Sequence, residues 1–301
     1  MLVIEPDSLP NLATNAMQPG CGNNATAAAY TIGITTAVKE LSAACPNSCS
    51  LYLDAAHGGW LGWPSNLKAF KTTVEGLDIF DDIRGFATNT ANYQPLGTMC
   101  EANSICENYA KLPANYTAVV PLGSRPSVEP ERDQSADRRD LRVLSADDDA
   151  NCCYDPCGLL QQGNPANNEY NYATQLVATF KTFSFDPHVV IDTGRNGKDD
   201  MRSDCSNWCN IRNAGVGSLP TTKTDTTNGD LVDALYWLKT PGESDGCTQT
   251  LPSGSECPRF DTMCASVDSI GSEADEPEAP EAGAWFDYQI KQLADNAVWA
   301  R

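Results

Sequence analysis

One stretch of the chain concentrates groups suited to a neutral sugar: Tyr52-Leu-Asp-Ala-Ala-His-Gly-Gly-Trp-Leu-Gly-Trp-Pro-Ser-Asn66. Trp60 and Trp63 stand three residues apart with glycines beside and between them, and glycine cannot cover an indole ring. A pyranose stacks its C–H face on such a surface and offers its hydroxyls to polar groups, here Asp54 and His57. The plainer alternative is that both tryptophans belong to the core. A second segment, Ile4-Glu-Pro-Asp-Ser-Leu9, places Asp7 just past an apolar run. A carboxyl among proline and apolar neighbours can hold a raised pKa and act as an acid, although an N-cap for a following helix uses the same residue type. A third, Lys239-Thr-Pro-Gly-Glu-Ser-Asp-Gly246, alternates charges with turn residues and either lines a cleft or forms an exposed turn. A fourth, Asp204-Cys-Ser-Asn-Trp-Cys-Asn210, braces Trp208 with a cysteine.

Short apolar runs alternate with helix-period segments and position these groups. Leu2–Ile4, Ser50–Asp54, Ile83–Thr88 and His188–Asp192 read as strands, and Asp230–Leu238 is a further mostly apolar stretch. Thr26–Ala44, Leu67–Leu77, Asn168–Phe183 and Ala282–Ala297 read as helices. Strand-helix alternation with near-continuous apolar strands predicts an α/β fold on a parallel sheet, either a barrel or doubly wound. Glu5, Asp7, Asp54, His57, Asn89, Asn92, Asp192, Arg195, Lys239, Glu243 and Asp245 each lie just past an apolar run, where a β/α barrel carries its chemistry. Residues 97–165 break the rhythm with five cysteines and a charge-dense stretch, and read as a Cys-rich acidic surface insertion. Glu129–Asp149 alone holds eight acids and four arginines. Asp268–Glu281, with six acids and no base, reads as a solvated loop.

The chain has 301 residues, 40 acidic against 20 basic, and a formal net charge of −20. That charge is repelled by phosphate backbones and anionic lipid, so neither nucleic acid nor a membrane surface is the expected partner. No run of about 18 apolar residues is present to span a bilayer. Thirteen cysteines against two histidines fit disulfides in an oxidising compartment rather than zinc, and no metal or cofactor is expected. Two glycosylation sequons, at Asn24 and Asn115, agree with secretion. The opening Met1-Leu-Val-Ile-Glu-Pro-Asp reads as a buried strand and not as a signal peptide. The cysteine count is also odd. The expectation is therefore that the true N-terminus, with a cysteine partner, lies upstream.

Seven segments together resemble glycoside hydrolase family six, the inverting β-1,4-glucanases that include cellobiohydrolases and endoglucanases. They are Val-Ile-Glu-Pro-Asp-Ser-Leu; Tyr-Leu-Asp-Ala-x-His-x-Gly-Trp-Leu-Gly-Trp-Pro; Ala-Thr-Asn-x-Ala-Asn-Tyr (87–93); Asp-x-Gly-Arg-Asn-Gly (192–197); Trp-Cys-Asn (208–210); Lys-x-Pro-Gly-Glu-x-Asp-Gly; and Pro-Glu-Ala-Gly-Ala-Trp-Phe (280–286). The resemblance implies that Asp7 is the general acid and Asp245 the candidate base, or its electrostatic stand-in. Inversion would then set the two carboxyls roughly 6.5–9.5 Å apart. It implies sugar stacking by Trp60, Trp63 and Trp208. Asp54, His57, Asn92, Lys239 and Glu243 would bind substrate hydroxyls or support the acid, and Cys209 would pair with Cys264.

The family's fold is a distorted seven-stranded β/α barrel. The resemblance makes residues 1–301 the C-terminal part of a single catalytic domain, entered at about the third strand, with Cys21's partner upstream. On that expectation the isolated 301-residue chain has little or no glucanase activity. The long Glu243–Glu281 segment resembles the tunnel-covering loop of cellobiohydrolases, so cellobiose release is expected over endo action. The expected partner is cellulose or a β-1,4-glucan oligosaccharide, bound by a secreted monomer. A carbohydrate-binding remnant that has lost catalysis is the alternative.

Overall fold

A parallel sheet carries the segments that hold Asp7, Asp54 and Lys239. The computed structural model describes residues 1–46, 48–100, 153–182, 184–227 and 229–300, with strand backbone at 104–105 and 142–143. The sheet is built from β1 (Leu2–Ile4), β2 (Leu51–Asp54), β3 (Gly85–Thr88), β6 (His188–Asp192) and β7 (Val232–Tyr236). Their order is β1-β2-β3-β6-β7 and every pairing is parallel. β4 (Ser104–Ile105) and β5 (Arg142–Val143) pair separately, also in parallel. The α/β class and the parallel sheet are as expected. The linear order leaves β1 and β7 as two ends that do not pair with each other.

The alternation within β2, β3 and β6 explains why those runs are apolar throughout; at the two ends of the sheet Leu2 and Tyr236 are exposed, which corrects the reading of the opening run as a buried strand. Ile4, Leu51, Leu53 and Phe86 point to the face covered by helices, where they pack with Leu9, Ile34, Val38, Phe70, Leu176 and Phe180. Tyr52, Ala87 and Val190 point the other way and cluster with Val3, Ala234 and Leu238. A strand buried on both faces has no polar register to offer. Three rings anchor the helix side: Phe86 and Phe180 lie 4.6 Å apart, and Phe70 sits edge-on to both.

The covering helices are α1 (Ser8–Thr14), α2 (Asn24–Ala44), α3 (Gly58–Leu61), α4 (Pro64–Glu75), α5 (Glu169–Phe180) and α6 (Asp287–Asp295). Asn23 caps α2 by accepting from Ala25 N and Thr26 N, and Asn168 caps α5 by accepting from Asn171 N. α4 begins earlier than its apolar period suggests because Pro64 suits the first helical turn, where no N–H is needed. The closing helix is shorter than Ala282–Ala297. Its first residues are held instead in loop structure, where Trp285 bridges Glu243. The short helices α1 and α3 each turn the chain directly after a candidate site residue.

Four disulfides join described cysteines: Cys45–Cys49, Cys157–Cys205, Cys209–Cys264 and Cys247–Cys257. Cys21 is exposed and free. The acidic stretch 268–281 is not simply solvated, which corrects the reading from composition. Asp268 is buried and accepts from Ser203 and Asn207, Glu276 pairs with Arg212, and Glu278 accepts from Thr248.

Candidate active site

The candidate residues gather at the C-terminal ends of the strands: Asp7 after β1, Asp54 and His57 at β2, Asn92 after β3, and Lys239, Glu243 and Asp245 after β7. Backbone strain concentrates in the same place. Glu5 (φ 48°), Asp7 (66°), Ala56 (49°), Asn89 (59°) and Ala91 (57°) all take the left-handed conformation just past β1, β2 and β3. Each costs on the order of 1 kcal/mol or more, and such residues persist where the surroundings fix them, often at functional sites.

Asp7 is exposed and occupies the N-cap position of α1 without making a side-chain cap bond. The helix-cap alternative therefore does not describe this carboxyl. Its backbone N–H donates to Asp54 Oδ2 at 3.0 Å, as does Ala56 N at 3.2 Å. The protein crowded around the Asp7 carboxyl pushes its pKa up, and Lys239 opposes the shift. Asp54 is 1% exposed, and burial raises its pKa to about 7 despite the two N–H donors. A buried acid thus lies directly beneath the candidate general acid. A second one lies nearby: Glu169 Oε1 accepts from Gly58 N at 2.9 Å, and burial lifts this carboxyl to about 7 as well.

Asp245 is held differently. Arg195 Nη1 lies 2.7 Å from both of its oxygens. Tyr93 OH donates to Oδ2 at 2.8 Å, Asn210 N donates to the same oxygen at 2.8 Å, and Lys239 Nζ lies 3.7 Å from Oδ1. Arg195 is almost fully buried and sits 4.2 Å over the Tyr93 ring. Burial pushes the Tyr93 phenol far above its usual range, so it stays a donor. Asp192 ties the surrounding loops together. Its Oδ2 accepts from Ala91 N and Lys239 N, and its Oδ1 from Gly194 N. Gly242 (φ +99°) permits the turn before Glu243, because a Cβ there would meet Trp285 at 2.8 Å.

A cleft of about 390 Å³ brings together His57, Trp60, Trp63, Asn92 and Trp208. All three tryptophans are partly exposed, so none is a closed core residue. Trp60 and Trp63 are oriented by their own ring N–H groups, which donate to Thr14 Oγ1 and to Gly59 O. Burial, and then Arg202, lowers the His57 pKa to about 3, so His57 is neutral and offers one donor and one acceptor. Asp7 and Asp245 do not line this cleft. Glu243 is half-buried beside the Trp285 bridge. Cys209 and Cys264 are joined next to Gly246, behind Asp245. Asn24 is exposed at the start of α2, and Asn115 lies outside the described residues. Among the described residues no His, Cys, Asp and Glu cluster is arranged to hold a metal ion.

The sequence model of Glycosyl hydrolases family 6 matches residues 1–120 and 151–297. The chain belongs to this family. Exoglucanase 3 of Agaricus bisporus is 32% identical over 299 residues, covering 98% of this chain and 51% of that protein. The 1,4-beta-D-glucan cellobiohydrolase C of Emericella nidulans is 33% identical over 304 residues, covering 99% of this chain and 50% of its own. The chain thus spans about half the length of the curated relatives it matches. Among solved structures, CcCel6C of Coprinopsis cinerea superposes with a TM-score of 0.65 at 32% identity, over 98% of this chain and 62% of that one. Cellobiohydrolase II of Humicola insolens, solved with glucose and cellotetraose, gives 0.66 at 28% identity over 98% and 63%.

Family membership draws attention to residues that the sequence reading left without a role. Arg195 and Tyr93 stand inside the quoted motifs, and Asn210 closes the Trp-Cys-Asn segment. Glu169 belongs to no quoted motif. Its one signal is its place in the first turn of a mostly buried helix.

Proposed function

We propose that this chain carries the catalytic cleft of a secreted hydrolase that cleaves β-1,4-glucosidic bonds in cellulose or a related β-glucan with inversion, releasing cellobiose. The observation that carries the reading is one sheet end that holds Asp7 over the buried Asp54, Asp245 in contact with Arg195 and Lys239, and the turn that presents Trp60 and Trp63 to a cleft shared with Trp208. Asp7, raised by its surroundings, protonates the glycosidic oxygen as the bond to the leaving sugar breaks. Water attacks the opposite face of the ring. Asp54 holds the Asp7 backbone in its strained conformation and, with its own raised pKa, keeps a proton beneath the acid. Asp245 is the base or its electrostatic stand-in: Arg195, Tyr93 and Asn210 N all donate to Oδ2, whereas Oδ1 accepts from Arg195 alone, with Lys239 Nζ 3.7 Å away, and keeps a lone pair for the attacking water. Trp60, Trp63 and Trp208 stack sugar faces, while His57, Asn92 and Glu243 bind hydroxyls.

The complete architecture we propose is the seven-stranded β/α barrel, with 1–301 as one catalytic domain and 97–165 as an insertion. The family match skips 121–150, which supports an insertion centred there. Four disulfides support an oxidising, extracellular setting, and the enzyme acts as a monomer. The test is cellopentaose hydrolysis by the wild-type protein and by Asp7→Asn, with products resolved by anomer; cleavage by the wild type would also overturn the expectation, drawn above from the resemblance, that the isolated 301-residue chain is inactive. One observation favours a second reading, a carbohydrate-binding protein without catalysis: the aromatic cleft is complete without Asp7 or Asp245. Tight cellopentaose binding with no cleavage would select it.

A further inference from the structure

The lining of the aromatic cleft comes from stretches far apart in sequence, and among the described residues one covalent bond connects two of them: Cys157–Cys205, across 48 residues. Both cysteines lie in the lining, between Leu159 on one stretch and Trp208 on the other.

Each side of this bond is anchored. On one side, the Asp155 carboxylate accepts from Leu159 N and Leu160 N at 2.9 Å, and Leu160 is fully buried. The same stretch ends at Asn164, whose Nδ2 donates to Gly58 O at 2.8 Å, on the turn that presents Trp60 and Trp63. On the other side, Arg202 Nη1 donates to Cys205 O at 2.8 Å and Asn207 O at 3.1 Å. Asp268 accepts from Ser203 and Asn207, which fixes the loop that carries Trp208. A continuous chain of fixed contacts therefore runs from the Trp60–Trp63 turn through Asn164 and the disulfide to Trp208.

We infer that the Cys157–Cys205 disulfide is a specificity-determining strap that fixes the Trp208 platform relative to the Trp60–Trp63 platforms, so that the cleft accepts an unsubstituted glucan chain and rejects a bulkily substituted one. The inference rests on the glucan-binding reading above. A cleft with one wall held at fixed spacing is pre-organised for a flat chain, because no loop has to be ordered at each binding event. The same rigidity excludes side groups that would need the wall to move. Without the bond the two stretches remain anchored at their far ends but can separate between them. The cleft then loses affinity for the slim ligand and gains room for the bulky one. A bond that served stability alone would weaken both ligands or neither.

The test compares cellohexaose with hydroxyethyl cellulose, a neutral substituted polymer that the chain's negative charge does not repel. Binding is read from tryptophan fluorescence for the wild type, the Cys157→Ser/Cys205→Ser variant and the Cys45→Ser/Cys49→Ser variant, whose bond does not line the cleft. The strap variant is expected to bind cellohexaose about tenfold more weakly, the equivalent of ordering one or two side chains anew, with undiminished binding of hydroxyethyl cellulose. The Cys45/Cys49 variant keeps the wild-type ratio of the two affinities. A folded strap variant with the wild-type ratio overturns the inference. If the strap variant does not fold, Asp155→Ala, which keeps the disulfide and loosens its anchor, decides by the same ratio. A wild-type protein that binds neither probe removes the glucan reading itself, and with it the inference.

Discussion

Replacing Arg195 by methionine removes the cation that faces Asp245 while keeping most of the side-chain volume. The Arg195 side chain is 1% exposed and the Asp245 side chain 5%, with the charges 2.7 Å apart. At an effective dielectric of about 20 the gross attraction is ~6 kcal/mol, most of which offsets the cost of taking two ions out of water. The net worth of the pair is therefore small, but breaking it is costly, because Asp245 keeps its charge and loses its main partner. Removing one member of a buried pair costs about 3–5 kcal/mol. Lys239 at 3.7 Å, Tyr93 and Asn210 remain as partners and place the expected loss near the lower end, about 3 kcal/mol. The assay is urea unfolding at pH 7, read as a shift in midpoint at constant slope. The double variant Arg195→Met/Asp245→Asn removes both charges and is expected to recover at least half of the loss. A single-variant cost below ~1 kcal/mol, or losses that add within about 0.5 kcal/mol, would refute this account of the buried pair.

Other outcomes follow from the same geometry. Asp7→Asn should lower hydrolysis of cellopentaose about 10²- to 10⁴-fold, the usual contribution of a general acid, with binding little changed. Trp63→Ala should weaken cellohexaose binding roughly ten- to hundredfold, as loss of a stacking aromatic anchor does, read by calorimetry. Asp54 and Glu169 hold raised pKa values of about 7 in the folded protein, so between pH 4 and 7 the native state keeps protons that the unfolded chain releases. Stability should fall as pH rises through that window, by up to about 1.4 kcal/mol per pH unit for each group. Asp54→Asn and Glu169→Gln should each flatten the fall in urea midpoint between pH 5 and 7. Cys209→Ser/Cys264→Ser opens a loop of 55 residues and should cost about 4 kcal/mol on the chain-entropy account.

Much of the scaffold was legible because buried parallel strands have to be apolar on both faces. Leu51–Asp54 and His188–Asp192 need only be recognised as short apolar runs, and a carboxyl or histidine just past such a run stands at the end of the sheet that carries chemistry. The partnerships were not legible. Arg195 reaches Asp245 across 50 positions and Tyr93 reaches it across 152, distances that no local pattern encodes. Asp268, Glu276 and Glu278 looked like solvent-facing acids because composition does not reveal that Ser203, Arg212 and Thr248 come to meet them. The disulfides show the same limit. Cys205 stands four residues from Cys209, yet the two pair with Cys157 and Cys264 from opposite directions along the chain. Glu169 was passed over because a carboxyl in the first turn of a helix ordinarily faces water, whereas here it is drawn inward to satisfy Gly58 N.

The most direct test of the central claim follows cellopentaose and the protein by proton NMR, recording the anomeric configuration of the first products before mutarotation. An inverting β-1,4-glucanase cleft predicts α-configured cellobiose from the wild type and none from Asp7→Asn. First products in the β configuration, or equal cleavage by both proteins, would contradict it.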